Sequence, residues 1–228
     1  MNELIRLARG MLVRHATFQP RGPVRREIST AQIDRLLPFA APHFVEVAPG
    51  MYLTRAFDPS EATAIVTAAA ASPCWRAAGI NANLEVDRSV REAEVLHEAD
   101  DPALIGDCRE RLFAATSGLA RVVAAGTVLA EIQIVRYHVR GRYIEHRDSP
   151  ARGATPRALS LVAYLNEDFG GGATTFSERD VTLSPLSGVV AVFPPEILHR
   201  AEPVTAGTKY VITAWYHMPP SPPKESLS

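Results

Sequence analysis

His146 and Asp148 stand two residues apart in Tyr143-Ile-Glu-His-Arg-Asp148, and His199 follows 53 residues after His146. On an extended strand a spacing of two points both side chains to the same face. An imidazole beside a carboxylate, with a second imidazole delivered by another strand, makes a three-donor face for Fe(II). The other three octahedral positions stay open, as in non-haem iron chemistry. An isolated His-x-Asp pair reads most simply as a surface turn. Here a strand-like segment precedes the pair, and Lys209 lies 10 residues past His199 in Thr-Lys-Tyr-Val-Ile-Thr-Ala-Trp, a stretch that otherwise reads as buried. A buried ammonium without a partner is costly, so a bound carboxylate would explain it. The alternative is that Lys209 snorkels to the rim of the sheet.

A longer pattern surrounds these residues. It comprises Tyr137, Gly141, Tyr143, His146 and Asp148; Leu165-Asn166; Gly171-Gly-Ala-Thr174-Thr-Phe176; and Gly188. Phe193-Pro194, His199, Pro203-Val204, Gly207, Lys209 and Trp215 complete it. In that order, from about residue 131 to 218, the chain resembles the Fe(II)- and 2-oxoglutarate-dependent dioxygenases of the prolyl 4-hydroxylase type. The resemblance implies that His146, Asp148 and His199 are the catalytic iron ligands. It implies 2-oxoglutarate as a chelating co-substrate, with dioxygen at the remaining position and ascorbate as a reductant. Lys209 would anchor the distal carboxylate, with Arg200 as its rival, although Arg200 faces away by alternation. Tyr137 would hydrogen-bond the co-substrate and Thr174 would line its pocket. Trp215 is expected to pack nearby without chemistry of its own. The implied reaction hydroxylates an unactivated C–H and releases succinate and CO2. Relatives that halogenate lack the carboxylate, so the presence of Asp148 favours hydroxylation.

The rest of the chain must position this set. At 228 residues it is long enough for one substantial core, and all-β barrels of this length are often single domains. A hydrophobic content of 46% against 21% charged residues indicates a globular chain, and a net charge of −1 argues against phosphate-backbone binding. Two cysteines, Cys74 and Cys108, do not make a disulfide framework and fit a reducing, cytoplasmic setting. There is no apolar run of membrane-spanning length. Arg6, Arg9 and Arg14 interrupt any signal-peptide core.

Residues 2–14 read as an amphipathic helix that packs on the barrel or forms a homodimer contact. Residues 18–26 read as a Pro/Gly/Arg linker. Ser29 with Gln32, Asp58-Pro-Ser-Glu61 and Asp101-Pro102 are helix starts. Pro42 to Tyr52 suggests a strand, and 72–100 reads as irregular. From Val128 the grammar changes to strands: 130–139, 142–148, 157–166, 173–178, 180–184, 188–193, 198–202 and 208–218. The expected architecture is α+β: a double-stranded β-helix, or jelly roll, with N-terminal helices on one outer face. One domain is expected over 1–228, with a helical and mixed support and lid region at 1–127, the catalytic core at 128–218 and a flexible tail at 219–228. Gly170-Gly-Gly172 reads as a turn rather than a phosphate loop, because no helix follows it. His15, His43, His97, His138 and His217 are expected in surface or structural roles.

The expected substrate is a small molecule bearing a carboxylate. Arg88, Arg91, Arg147 and Arg152 fall in 75–100 and 147–156, the segments expected to form the pocket mouth. A guanidinium there would clamp a carboxylate at two points. Tyr143 and Trp215 are further candidates for substrate contact. A peptidyl prolyl hydroxylase is the alternative within the family. Outside it stand a cupin-type metal enzyme, which typically uses His-x-His, and a jelly-roll binding module without catalysis.

Overall fold

The structure is a computed structural model that describes residues 4–7, 11–15, 26–38, 43–80, 84–148 and 155–219. It opens with an antiparallel hairpin, β1 (Leu4–Leu7) and β2 (Met11–His15), where a helix was expected over 2–14. Short apolar runs fit either period, and pairing decides between them. Here β2 joins a sheet, so the proposed helical dimer contact has no basis. Strand β3 (Arg26–Ile28) leads into α1 (Thr30–Leu36), which begins at the capping box of Ser29 and Gln32. The expected strand at 42–52 is two, β4 (Phe44–Ala48) and β5 (Met51–Arg55). They turn at Gly50, whose φ of +76° suits glycine.

Asp58 caps α2 (Pro59–Ala71) by accepting from the backbone N–H groups of Ser60 and Glu61. The 72–100 segment is more ordered than its polarity suggests. It carries β6 (Arg76–Ala77), β7 (Arg91–Glu92) and β8 (Glu94–His97). Asp101 caps α3 (Pro102–Val123) through the N–H of Leu104. The expected run of strands follows as β9 (Val128–Tyr137), β10 (Arg142–His146), β11 (Arg157–Tyr164), β12 (Gly170–Gly171), β13 (Thr174–Phe176) and β14 (Val181–Leu183). It ends with β15 (Val189–Phe193), β16 (His199–Ala201), β17 (Val204–Ala206) and β18 (Lys209–His217).

These strands build a ten-stranded sheet in the order β1-β2-β4-β5-β15-β11-β18-β9-β8-β6. A six-stranded sheet runs β3-β14-β13-β16-β10-β7, and β12 pairs with β17. The fold is mostly β-sheet with few helices, as a jelly roll requires. Alternation sorts each strand of the large sheet into two faces. On β18, Tyr210, Ile212, Ala214 and Tyr216 share an apolar cluster with Ala62 and Ile65 of α2 and Ile105, Cys108 and Leu112 of α3. The opposite parity, Lys209, Val211, Thr213 and Trp215, lines a cavity. Val211 there belongs to a second cluster with Phe176 and Leu183 of the small sheet. Burial of the helical and sheet faces drives this layering, at roughly 1.5–3 kcal/mol for each large apolar side chain. No described helix is long and apolar enough to cross a membrane.

Candidate active site

The three expected metal donors meet. His146 ends β10 and pairs in register with His199 at the start of β16, while Asp148 follows β10 and donates its N–H to Pro195 O at 2.8 Å. One donor atom from each of the three lies within 4.8 Å of the others. His146 Nε2 is 3.5 Å from Asp148 Oδ1, and His199 Nε2 is 3.8 Å from Asp148 Oδ2. Adjacent ligands at about 2.1 Å from an octahedral ion stand about 3 Å apart, so a small contraction would close this set on a metal.

Neighbouring groups prepare the donors. His146 Nδ1 lies 2.9 Å from Ile144 O, and His199 Nδ1 lies 2.9 Å from Ile197 O. A carbonyl can only accept, so each Nδ1 carries the proton and each Nε2 presents its lone pair inward. Burial pushes the pKa of His199 down, against the opposing pull of Asp148, and so favours the neutral ligand form. Burial alone would raise that of Asp148; the electrostatic influence of His146 and His199 beside it outweighs burial and holds the carboxyl well below its usual range. Tyr143 stacks on His146 with ring centroids 3.5 Å apart, and Phe193 meets His199 edge-on. This donor set fits Fe(II).

Trp215 does more than pack. Its Nε1 donates to Asp148 Oδ2 at 3.0 Å. The guanidinium of Arg157, which sequence reasoning missed, lies 4.0 Å from the Trp215 ring centroid and donates to Asp148 O at 3.0 Å. No local spacing marks Arg157; only the position of β11 beside β18 brings it there. Trp215→Phe should keep the ring and lose the bond to the carboxylate. We expect Fe(II) affinity to fall by about tenfold or more with the fold retained, since outer partners of metal ligands typically carry that much. Calorimetric titration with Fe(II) checks it, and unchanged affinity would assign Trp215 to packing alone.

Lys209 lies deeper, 1% exposed. Its Nζ donates to Gly172 O at 2.6 Å and stands 5.4 and 5.6 Å from the ring centroids of Tyr137 and Tyr164. No carboxylate meets it among the described residues, and burial pulls its pKa down to about 7. Gly170-Gly-Gly172 serves this lysine. Gly172 has φ +64°, and a Cβ there would come within 3.2 Å of Lys209 Cδ. Thr174 lines the cavity, its Oγ1 accepting from Tyr164 at 2.8 Å. Tyr137 lines it as well, and burial raises its pKa.

One cavity of about 760 Å³ holds the triad, Lys209, Tyr137, Tyr143, Thr174 and Trp215. Four other candidates fare differently. Arg147 reaches the rim, but its two terminal nitrogens bond both oxygens of Glu178 at 2.9 and 2.6 Å. Arg88 is an exposed partner of Glu92 and does not line the cavity. Arg152 falls outside the described residues. Among the three described, Arg91 alone is buried at the cavity wall. Arg200 pairs with Glu145 and Glu202 outside the cavity, which removes the rival to Lys209. Of the lesser histidines, His138 bonds Glu94 and Thr208 on the other face, whereas His97 and His217 join the cavity lining. A second depression, lined by Glu27, Glu167 and Glu202, holds none of this chemistry.

The family model described as the 2OG-Fe(II) oxygenase superfamily matches residues 132–217, which span the triad, Lys209 and Trp215. Over this core the chain is similar to the 2OG-Fe(II) oxygenases of the prolyl 4-hydroxylase-like superfamily. That family uses Fe(II), 2-oxoglutarate and dioxygen. A putative prolyl 4-hydroxylase of Acanthamoeba polyphaga mimivirus is 31% identical over 107 residues, covering 38% of this chain and 44% of that relative. The alignment thus spans less than half of the relative's length. Two solved structures share the fold. The viral collagen prolyl hydroxylase of Paramecium Bursaria Chlorella virus-1 superposes with a TM-score of 0.58 at 17% identity, over 76% of this chain and 100% of that one. The Trichoplax adhaerens prolyl hydroxylase, solved with a peptide fragment of hypoxia inducible factor, gives 0.60 at 19%, over 74% and 83%.

Proposed function

We propose that the chain is an Fe(II)- and 2-oxoglutarate-dependent hydroxylase acting on a prolyl residue within a peptide. The observation that carries the reaction class is the pairing of His146, Asp148 and His199 with an unpaired Lys209 in one cavity. Fe(II) bound with 2-oxoglutarate and dioxygen supplies the oxidising power to hydroxylate an unactivated C–H, with succinate and CO2 as co-products. The chain's own residues do the positioning. His146, Asp148 and His199 hold the ion through two neutral imidazoles and one anion. Trp215 and Arg157 fix Asp148. Lys209 receives the distal carboxylate between the rings of Tyr137 and Tyr164, where the low dielectric strengthens the pair. Apolar neighbours such as Val162 and Val211 keep water away from the reacting centre.

For the substrate, a prolyl peptide replaces the small carboxylate read from the arginines. Arg88 and Arg147 are engaged with Glu92 and Glu178 and do not offer the expected clamp. Proteins similar to this chain are named as prolyl hydroxylases, and one is solved with a peptide. The test compares Pro-containing peptides with free amino acids under Fe(II), 2-oxoglutarate and ascorbate, read by mass spectrometry. A gain of one oxygen on peptidyl proline is expected. Oxidation of free amino acids with none of the peptides would overturn the reading.

A further inference from the structure

Four lysine or arginine side chains line the cavity. Arg147 and Arg157 have carboxylate partners in Glu178 and Glu131. Lys209 has the role given above. The fourth, Arg91, is 8% exposed and has no carboxylate partner among the described residues. Its Nη1 donates to Gly79 O at 2.9 Å, and its Nε is enclosed without an acceptor. A guanidinium stays charged at any physiological pH, so burying one without an anion is costly.

Strand β7 sets Arg91 opposite Tyr143 of β10, and the guanidinium lies 4.9 Å from the Tyr143 ring centroid. That ring stacks on His146, so the unpaired charge stands one aromatic ring away from a metal donor. Lys209, by contrast, is enclosed by Tyr137, Tyr164 and Gly172. Arg91 is framed by Tyr143 and by Gly79, next to Ile80 and the exposed Leu84 at the cavity wall, and its guanidinium also reaches the hydroxyl of Tyr137. The two unmatched cations share Tyr137, on whose ring Lys209 and on whose hydroxyl Arg91 bears, and otherwise have different surroundings. A co-substrate held by Lys209 and the metal has both of its ends engaged.

We propose that Arg91 anchors a carboxylate of the substrate, holding it beside the carbon that is oxidised. This rests on the oxygenase reading above and narrows its substrate to a prolyl peptide bearing an acid close to the target residue. The acid is an Asp or Glu side chain or a free C-terminal carboxylate. Two-point pairing with the planar guanidinium would satisfy its buried N–H groups and fix the substrate's orientation.

The probes are Pro-containing peptides with Asp or Glu at single positions flanking the proline, each beside its Asn or Gln twin. Peptides ending in proline, as acid and as amide, represent the free carboxylate. Binding to the protein loaded with Mn(II) and 2-oxoglutarate is measured by calorimetry, so turnover is not required. At least one acid should bind about tenfold or more tightly than its amide twin, as a charged hydrogen-bonded pair allows. Arg91→Gln should erase that preference while changing 2-oxoglutarate affinity much less. Arg91→Lys, which keeps the charge without the fork, should retain part of it. The preferred acid tells the side-chain and free-carboxylate sources apart. No preference in the unsubstituted protein would overturn the proposal, as would a preference that survives Arg91→Gln or an equal loss of 2-oxoglutarate affinity. If Arg91→Gln does not fold, an undiminished preference in Arg91→Lys overturns it and a weakened one supports it. A preference for acids with no oxygen gained by any peptide leaves the Arg91 anchor standing and removes the prolyl hydroxylase reading.

Discussion

Asp148→Asn should abolish turnover and weaken Fe(II) binding by more than about 100-fold, because outer partners of metal ligands already carry 10–100-fold. The substitution preserves shape: an amide oxygen can still accept from Trp215 Nε1, which now bonds Asp148 Oδ2. What it removes is the one negative charge among the three donors. The side chain is only slightly exposed, at 11%, and its environment is built around an anion. Both imidazoles face it and overcome the opposing effect of burial on its ionisation, and the indole N–H of Trp215 donates to it. His146→Ala and His199→Ala should weaken binding comparably, each removing an Nε2 whose direction is fixed by a carbonyl on the far side of the ring. Titration calorimetry with Fe(II) gives the affinity, succinate release gives the turnover, and circular dichroism reports the fold. Activity close to that of the unsubstituted protein in any of the three, with only Fe(II) added, would remove that residue from the proposed ligand set.

The sequence was most legible where one short stretch decides its own structure. Asp58 and Asp101 each cap a helix through N–H groups two or three residues on, so their signal is local. The buried character of the stretch around Lys209 also sits within one strand, and with the family resemblance it pointed Lys209 to a bound carboxylate; in the structure Lys209, Val211, Thr213 and Trp215 alternate onto the cavity. Where structure depends on distant pairing, the reading failed. Strand β7 is two residues long and exists because β10 lies beside it, so 72–100 read as irregular, although Arg91 was expected at the pocket mouth and does line the cavity. The hairpin β1-β2 likewise depends on β4, some thirty residues away, and a helical stripe fitted the same letters. Arg147 looked available because Glu178, which occupies it, is 31 residues further on. The role of Trp215 followed the same rule. Its position in a buried strand was readable, but the bond to Asp148 spans 67 residues.

2-Oxoglutarate should bind with a pH dependence written by Lys209. In the free protein the ammonium is 1% exposed and has one carbonyl acceptor, at Gly172, with two tyrosine rings as its other close neighbours. Burial brings its pKa from the ordinary 10.5 down to about 7. The sign follows directly. Below pH 7 the amine is already protonated and accepts the distal carboxylate without further change. Above pH 7 it is neutral, and binding a carboxylate must first return the proton, because the bound pair favours the charged form. Affinity should therefore fall by about tenfold per pH unit above 7, with close to one proton taken up per co-substrate bound at pH 8. Calorimetry with the Mn(II)-loaded protein, in buffers of different ionisation enthalpy, measures both quantities. Lys209→Ala should lose at least about tenfold in affinity at pH 6, where a charged pair is removed, and its remaining affinity should lack this pH dependence. Lys209→Arg stays charged across the range, so whatever affinity it retains should also be flat in pH. Gly172 offers its carbonyl to either cation, but a guanidinium is broader than an ammonium, and the space beside Tyr137 and Tyr164 is built for the latter. If Lys209→Ala keeps the affinity and the pH slope of the unsubstituted protein, the anchor is another residue. If the unsubstituted protein shows no slope between pH 6 and 9 while Lys209→Ala still loses affinity, Lys209 is the anchor but is charged throughout, held so by a partner beyond Gly172.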